Sequence, residues 1–117
     1  MPADFENTIR AIYNCWNSGD LKGVLTAFAA LGPKGFTVEY VGQAPLDGIA
    51  AVEDMWARYG GTCTTDVEQL LVNGNEAAAL INNRIHLPEG GENAMPSIET
   101  YKVEDGELLV RYFHQTE

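Results

Sequence analysis

Residues 98–113 read IETYKVEDGELLVRYF, and this stretch decides the fold because it predicts two paired strands. Asp105-Gly106 at its centre is the strongest short hairpin signal, since these residue types adopt the positive φ angles of a two-residue turn. Such a turn places Glu99 opposite Tyr112. The alternation of side chains then gives one mainly apolar face, expected to be buried, which consists of Glu99, Tyr101, Val103, Leu108, Val110 and Tyr112.

Glu99 is the exception on that face, because it is a carboxylate among apolar and aromatic side chains. Burying a carboxylate is costly unless it is hydrogen-bonded, paired or protonated. Groups of this kind are concentrated at functional sites. Glu99 is therefore a candidate functional residue, and the alternative is a structural hydrogen bond to Tyr112 or to a backbone amide.

The chain before the hairpin predicts three helices and then further strands. In the first helix Phe5, Ile9, Ile12, Tyr13 and Trp16 form one apolar stripe. Predicted N-caps of the three helices are Asp4, Asp20 and Asp47. Strands are predicted at 36–41, 63–72 and 77–87, and a polar loop at 88–96. This order indicates an α+β fold, with three N-terminal helices packed in a strongly curved, mostly antiparallel sheet.

Length and composition predict one ordinary domain over residues 1–117. The net charge of −10 argues against nucleic acid and anionic membrane surfaces as partners, and no apolar stretch reaches the length of a membrane span. Cys15 and Cys63 are expected to be reduced thiols, so we expect a cytoplasmic protein. His86 and His114 lack acidic neighbours at ligand spacing, so neither a metal site nor a cofactor is expected.

Four segments follow one another in the order and spacing of a known superfamily. They are NSGDLKG (17–23), VEYVGQAP (38–45), GIAAV (48–52) and YKVEDGEL (101–108). On these motifs the chain resembles the NTF2-like superfamily, in particular its SnoaL-like and ketosteroid isomerase-like branches, over nearly its whole length. The resemblance implies a cone: a bent sheet around helix one that encloses a pocket open at one end. It also implies a homodimer through the outer face of the sheet.

The resemblance to the isomerase branch further implies which residues act. That branch has its general base in the strand before the V-G-x-x-P loop, which matches Glu39, and a second acid at the start of the closing hairpin, which matches Glu99. Its third element is a tyrosine on helix one. The ungapped match there is Ile12, with Tyr13 one residue further and about 100° around the helix axis.

Two carboxyls suit enol chemistry if their environments separate their protonation states. An ionised Glu39 would take a carbon-bound proton, and a neutral Glu99 would donate a hydrogen bond to the enolate oxygen. Isomerisation, cyclisation and dehydration of an apolar carbonyl compound all pass through such an enol. The residues expected to line the pocket are Ile12, Tyr13, Trp16, Trp56, Tyr101 and Tyr112.

A second constellation alternates onto one face of the 77–87 strand: Asn82, Arg84 and His86. It is similar to the Arg-x-Asp motif of the limonene epoxide hydrolase branch, except that His86 replaces the Asp. The opposite face of the strand is more apolar, which predicts that Arg84 and His86 point outward, to the surface or to a dimer interface. The sequence leaves open whether they reach the pocket instead.

Three functions follow from these features. The first is a small cofactor-independent enzyme that acts on an apolar carbonyl compound through Glu39 and Glu99. The alternative is a non-catalytic NTF2-like module that binds a hydrophobic ligand or dimerises. An epoxide hydrolase is the weakest of the three, and no sequence feature identifies the substrate or ligand.

Overall fold

The computed structural model describes residues 2–114. The helices are α1 (Pro2–Asn17), α2 (Leu21–Leu31) and α3 (Gly48–Tyr59), and the strands are β1 (Gly35–Tyr40), β2 (Leu46–Asp47), β3 (Cys63–Asn73), β4 (Glu76–His86), β5 (Glu92–Glu104) and β6 (Glu107–His114). The helices pack against one curved six-stranded sheet of order β2-β1-β6-β5-β4-β3. The pair β1–β6 is parallel and the other pairs are antiparallel. The expected α+β fold is confirmed.

The closing hairpin has the predicted turn and the predicted register. Asp105 and Gly106 have φ angles of 53° and 80°, and Glu99 lies opposite Tyr112. Every member of the predicted inner face is buried except Val103, which is half-buried. The alternation of side chains therefore places Glu99 on the concave side of the sheet, where the helices lie.

Side-chain caps fix the starts of α2 and α3. Asp20 accepts a hydrogen bond from the backbone N–H of Gly23 (2.8 Å), and Asp47 accepts one from Ala50 (3.1 Å), as predicted. The prediction for α1 is wrong, because that helix begins at Pro2 and Asp4 lies inside its first turn. A carboxylate there still complements the positive end of the helix dipole.

The polar loop predicted at 88–96 is shorter than expected, because β5 already begins at Glu92. Pro96 pairs with Asn82 of β4, and within residues 2–114 the pairing of β5 with β6 covers Ser97 to Glu104. The strand therefore already includes Pro96, and it leads directly into Ser97 and Glu99.

Helix α1 is joined to the edge strand β3 by side chains at its C-terminal end. The Trp16 indole donates to the carbonyl oxygen of Cys63 (3.0 Å). Asn17 exchanges hydrogen bonds with the backbone of Thr65, at 2.7 and 2.8 Å. These contacts hold the helix across the concave face. In the part of the chain that the structure describes, no helix has the length and apolar character needed to cross a membrane.

Candidate functional site

A cavity of about 550 Å³ lies between the concave face of the sheet and the helices. Much of its wall is aromatic or aliphatic, and a few polar groups converge on it, which is the usual make-up of a small-molecule site. The lining residues include Ile12, Tyr13 and Trp16 of α1, Tyr40 of β1, Ser97 and Glu99 of β5, and Tyr112 and His114 of β6.

Glu99 is a buried acidic residue on this wall, with 9% of its surface exposed, whereas the other acidic lining residue, Asp54, is exposed and paired with Arg58. Its two carboxyl oxygens each accept one hydrogen bond from a neighbouring hydroxyl. Tyr13 donates to Oε1 at 2.6 Å, and Ser97 donates to Oε2 at 3.1 Å. The carboxyl is thus held in one orientation by α1 and by its own strand.

Each of these hydroxyls is supported by a second donor. The hydroxyls of Tyr13 and Tyr101 lie 2.6 Å apart. Because the Tyr13 hydroxyl already donates its hydrogen bond to Glu99, the Tyr101 hydroxyl is the donor to Tyr13. On the other side, the Asn83 side-chain amide donates to the Ser97 hydroxyl at 3.0 Å. Two chains of donors therefore converge on one carboxyl, and such chains strengthen each of their hydrogen bonds.

Burial raises the pKa of Glu99 above its ordinary value, while the hydrogen bonds from Tyr13 and Ser97 act in the opposite direction. Burial likewise raises the pKa of Tyr13, Tyr101 and Tyr112, and the nearby Glu99 carboxylate adds to each of these shifts. The three phenols consequently remain protonated donors while Glu99 titrates.

Three aromatic side chains form the cavity wall beside Glu99. The rings of Tyr40 and Tyr112 lie 5.5 Å apart, and the imidazole of His114 lies 5.7 Å from Tyr40 and 6.1 Å from Tyr112. Partial burial lowers the pKa of His114. The cavity thus offers flat apolar surfaces next to a titratable carboxyl.

The structure does not bring Glu39 to this cavity. Glu39 pairs in register with Arg111, and the Arg111 guanidinium lies 3.3 Å from its carboxylate. Arg111 stands between the buried residues Val110 and Tyr112, so it points to the convex face. Glu39 and Glu99 therefore lie on opposite faces of the sheet, and the expected acid pair is not formed.

Arg84 and His86 also lie on the convex face, since the alternate residues Asn83 and Ile85 line the cavity. Arg84 bonds both carboxylate oxygens of Asp66 and lies 3.1 Å from Glu92. Arg84 and His86 thus point outward, away from the cavity, which the sequence alone had left open.

The aromatic residues predicted to line the pocket fall into two groups. Tyr13, Trp16 and Tyr112 lie on the cavity wall, as does Ile12. Trp56 and Tyr101 do not belong to the cavity wall. Trp56 packs edge-on against Trp16, with ring centroids 5.0 Å apart, and the Tyr101 hydroxyl lies 2.6 Å from that of Tyr13. In the described part of the chain, no group of three His, Cys, Asp or Glu side chains is placed to hold a metal ion.

A family model for the SnoaL-like domain matches residues 9–112 of this sequence. The chain belongs to the SnoaL-like domain family. The match extends from the buried face of α1 to Tyr112 and thus includes every group that contacts Glu99. No curated protein sequence matches the chain significantly.

Solved structures with the same fold come from several bacteria. A putative SnoaL-like polyketide cyclase from Jannaschia sp. CCS1 has a TM-score of 0.75 at 16% identity, covering 96% of this chain and 85% of that one. An LEH-like epoxide hydrolase from Mycobacterium tuberculosis has a TM-score of 0.71 at 14% identity, covering 97% and 84%. Another M. tuberculosis protein, solved in complex with estradiol-17β-hemisuccinate, has a TM-score of 0.73 at 17% identity, covering 96% and 94%. At these identities the likeness establishes the fold alone.

The site of this SnoaL-like domain also contains groups that sequence reasoning missed. Ser97 and Asn83 supply one of the two donor chains, and no periodicity marks either residue. Tyr13 was expected only as a wall residue, because the ungapped match to the helix-one tyrosine falls on Ile12. Its contact with Glu99 depends on how α1 is rotated against the sheet, which only the packed structure fixes.

Proposed function

We propose that this SnoaL-like domain is a small enzyme, independent of a cofactor, that transfers a proton next to the carbonyl group of an apolar compound. Glu99 is its proton-transfer group. The observation that carries the proposal is a buried carboxyl on a cavity wall with two donor chains converging on it. A carboxyl with a merely structural role has no need of access to a cavity.

The balance of forces at Glu99 suits acid–base catalysis. Burial favours the neutral acid, and the donors Tyr13 and Ser97 favour the carboxylate. A group that exchanges a proton with substrate works best when its pKa lies near the working pH, and a raised pKa moves a glutamate in that direction. Glu99 in this setting serves as base in one step and as acid in the next.

The reaction class follows from one buried carboxyl on a largely apolar cavity wall, since the other lining carboxylate, Asp54, is exposed and paired with Arg58. The Glu99 carboxylate takes a proton from the carbon next to the carbonyl, and the resulting enol or enolate then receives the proton at another position. Isomerisation, cyclisation and dehydration share this first step. The solved relatives with the same fold include a putative polyketide cyclase and a complex with an estradiol ester, in keeping with a largely apolar carbonyl substrate.

The test uses proton exchange, which requires no knowledge of the natural substrate. With 2-tetralone in D₂O, the wild-type protein is expected to accelerate deuterium exchange at the carbon next to the carbonyl, measured by NMR. Glu99→Gln should reduce the catalysed rate by about 10²- to 10⁴-fold, because a glutamine cannot accept the proton.

Glu39→Gln is the matched control, since it removes a carboxylate of the same type from the convex face. It is expected to keep the wild-type exchange rate. Equal rates for wild type and Glu99→Gln would contradict the proposal.

A second candidate function is ligand binding without turnover. The observation that favours it is that both oxygens of Glu99 already accept hydrogen bonds from the protein. Tight binding of 2-tetralone with no accelerated exchange would select this alternative. An epoxide hydrolase mechanism through Arg84 finds no support, because Arg84 lies on the convex face with Asp66 and Glu92.

We also propose that the convex face of the sheet is a homodimer contact. Phe113 lies opposite Ile98, and Ile98 lies opposite Leu80 on the next strand. The exposed fractions of Ile98 and Phe113 are 45% and 37%. An apolar row of this kind on an open sheet face is typical of an association surface.

A further inference from the structure

Tyr112 is a buried phenol whose hydroxyl has no hydrogen-bond partner among the described residues, although only 6% of the residue is exposed. Every fully buried side-chain oxygen and nitrogen in the described part of the chain does have a partner. The Tyr112 hydroxyl is therefore not fully buried, and it faces the cavity that the residue lines. A buried phenol that faces the cavity in this way can donate a hydrogen bond to a ligand there.

The other buried phenols near Glu99 have no such spare donor. The Tyr13 hydroxyl donates its hydrogen bond to Glu99, and the Tyr101 hydroxyl donates its hydrogen bond to Tyr13. A phenol carries a single O–H, so neither can donate a further hydrogen bond while these contacts last. Ser97 is in the same position, since its hydroxyl donates to Glu99.

Tyr112 is also correctly placed relative to Glu99. The two residues are direct cross-strand partners of the antiparallel pair β5–β6 and share the concave face. Side chains in this relation have Cβ atoms about 5 Å apart. One small polar group of a ligand can thus lie against both side chains at once.

We propose that the Tyr112 hydroxyl binds the carbonyl oxygen of the ligand while Glu99 faces the adjacent carbon. Tyr13 is then a positioning residue, whose hydroxyl holds Glu99 and does not bind the carbonyl oxygen. This inference rests on the proposed function and adds the oxygen-binding group to it. It also limits the expected ligands to flat, otherwise apolar compounds with a carbonyl oxygen that can accept a hydrogen bond.

Glu99 and Tyr112 are together sufficient for this proton transfer. The Glu99 carboxylate takes the proton from the carbon next to the carbonyl, and the C–H electron pair becomes the new C=C bond. The carbonyl π electrons move to oxygen, which the Tyr112 hydroxyl stabilises by its hydrogen bond. Glu99, now neutral, returns the proton to carbon, and both residues are restored.

The experiment measures how strongly the protein binds one oxygen atom. The probes are 2-acetylnaphthalene and 2-isopropylnaphthalene, which have similar shape and differ in whether a carbonyl oxygen or a methyl group is present. The ratio of their dissociation constants, from isothermal titration calorimetry, isolates the contribution of that oxygen. Tyr112→Phe is expected to reduce the preference for the ketone roughly tenfold, the value of one net hydrogen bond, with the hydrocarbon affinity retained.

Tyr13→Phe separates positioning from binding. The Tyr13 hydrogen bond lowers the pKa of Glu99, so its loss should move the midpoint of the pH–rate profile for deuterium exchange to higher pH. The ketone preference at low pH is expected to match wild type. Tyr112→Phe should instead reduce the exchange rate with little change in that midpoint.

Several outcomes overturn the inference. One is an unchanged ketone preference in Tyr112→Phe, and another is a loss that appears in Tyr13→Phe instead. A loss confined to Tyr40→Phe would assign the oxygen to that neighbouring phenol. The binding assay needs no turnover, so a Tyr112-dependent preference without any deuterium exchange would refute the proposed enzyme and leave Tyr112 as the ligand-contacting group.

Discussion

At position 99, burial and hydrogen bonding act on one carboxyl in opposite directions, and the net effect is a raised pKa. Between the pKa of an unfolded glutamate, about 4.3, and the higher pKa of the folded state, the folded protein binds more protons at this site. The contribution of Glu99 to stability is therefore fully present at low pH and is lost as pH rises through the folded pKa.

This linkage gives a prediction for Glu99→Gln. The difference in unfolding free energy between wild type and variant should fall as pH rises above about 4.3, by no more than about 1.4 kcal/mol per pH unit for one proton. Urea denaturation at a series of pH values measures it. A flat difference curve would contradict the assigned direction, and Glu39→Gln controls for the loss of one negative charge.

The two acidic positions differ in how much their sequence context revealed. Glu99 lies in a strand with regular alternation beside a well-defined turn, so its buried orientation was predictable from the pattern. Glu39 lies in the segment TVEYV, where alternation is weak. Its face is set by parallel pairing with β6, a partner about 70 residues away whose register no local pattern encodes.

At the scale of elements, the hairpin and the N-caps of α2 and α3 were predictable because each depends on a few adjacent residues. The start of β5 was not predictable, because Pro96 and the glycines before it are typical of a loop, and only the pairing of residues 92–96 with β4 shows that they belong to a strand. The donor chain from Asn83 through Ser97 likewise depends on strand pairing. It exists because β4 and β5 pair in one particular register.

The attachment of α1 to β3 gives a prediction at this scale. Asn17 makes two hydrogen bonds with the backbone of Thr65, and the Thr65 hydroxyl donates a third to its side chain (3.0 Å). Asn17→Ala should lower the free energy of unfolding by about 1–2 kcal/mol, because the groups on Thr65 lose their partners. Asn14→Ala, at an exposed position of the same helix, is the control in urea denaturation. Equal effects of the two substitutions would refute a specific role for the Asn17 contact.

Across the whole molecule, the sheet separates two kinds of surface. Its concave face holds Glu99 and the aromatic cavity wall, and its convex face holds the ion pairs of Glu39 and Arg84 together with the exposed apolar row around Ile98. Because neighbouring residues on a strand point to opposite faces, a substitution on the convex face should change assembly without changing the cavity. The proposals for ligand and partner can therefore be tested independently.

The dimer contact and the cavity should respond independently to substitutions. In sedimentation velocity at micromolar concentration, the wild-type chain is expected to be a dimer and Ile98→Lys a monomer, because a lysine in the row places an unpaired charge in the contact. The control is Ile49→Lys, on α3, where 52% of the isoleucine is exposed; this variant should remain dimeric. The Ile98→Lys monomer should still bind 2-acetylnaphthalene with wild-type affinity, since Ile98 points away from Glu99. A monomeric wild type would refute the dimer, and a dimeric Ile98→Lys would place the contact on another surface.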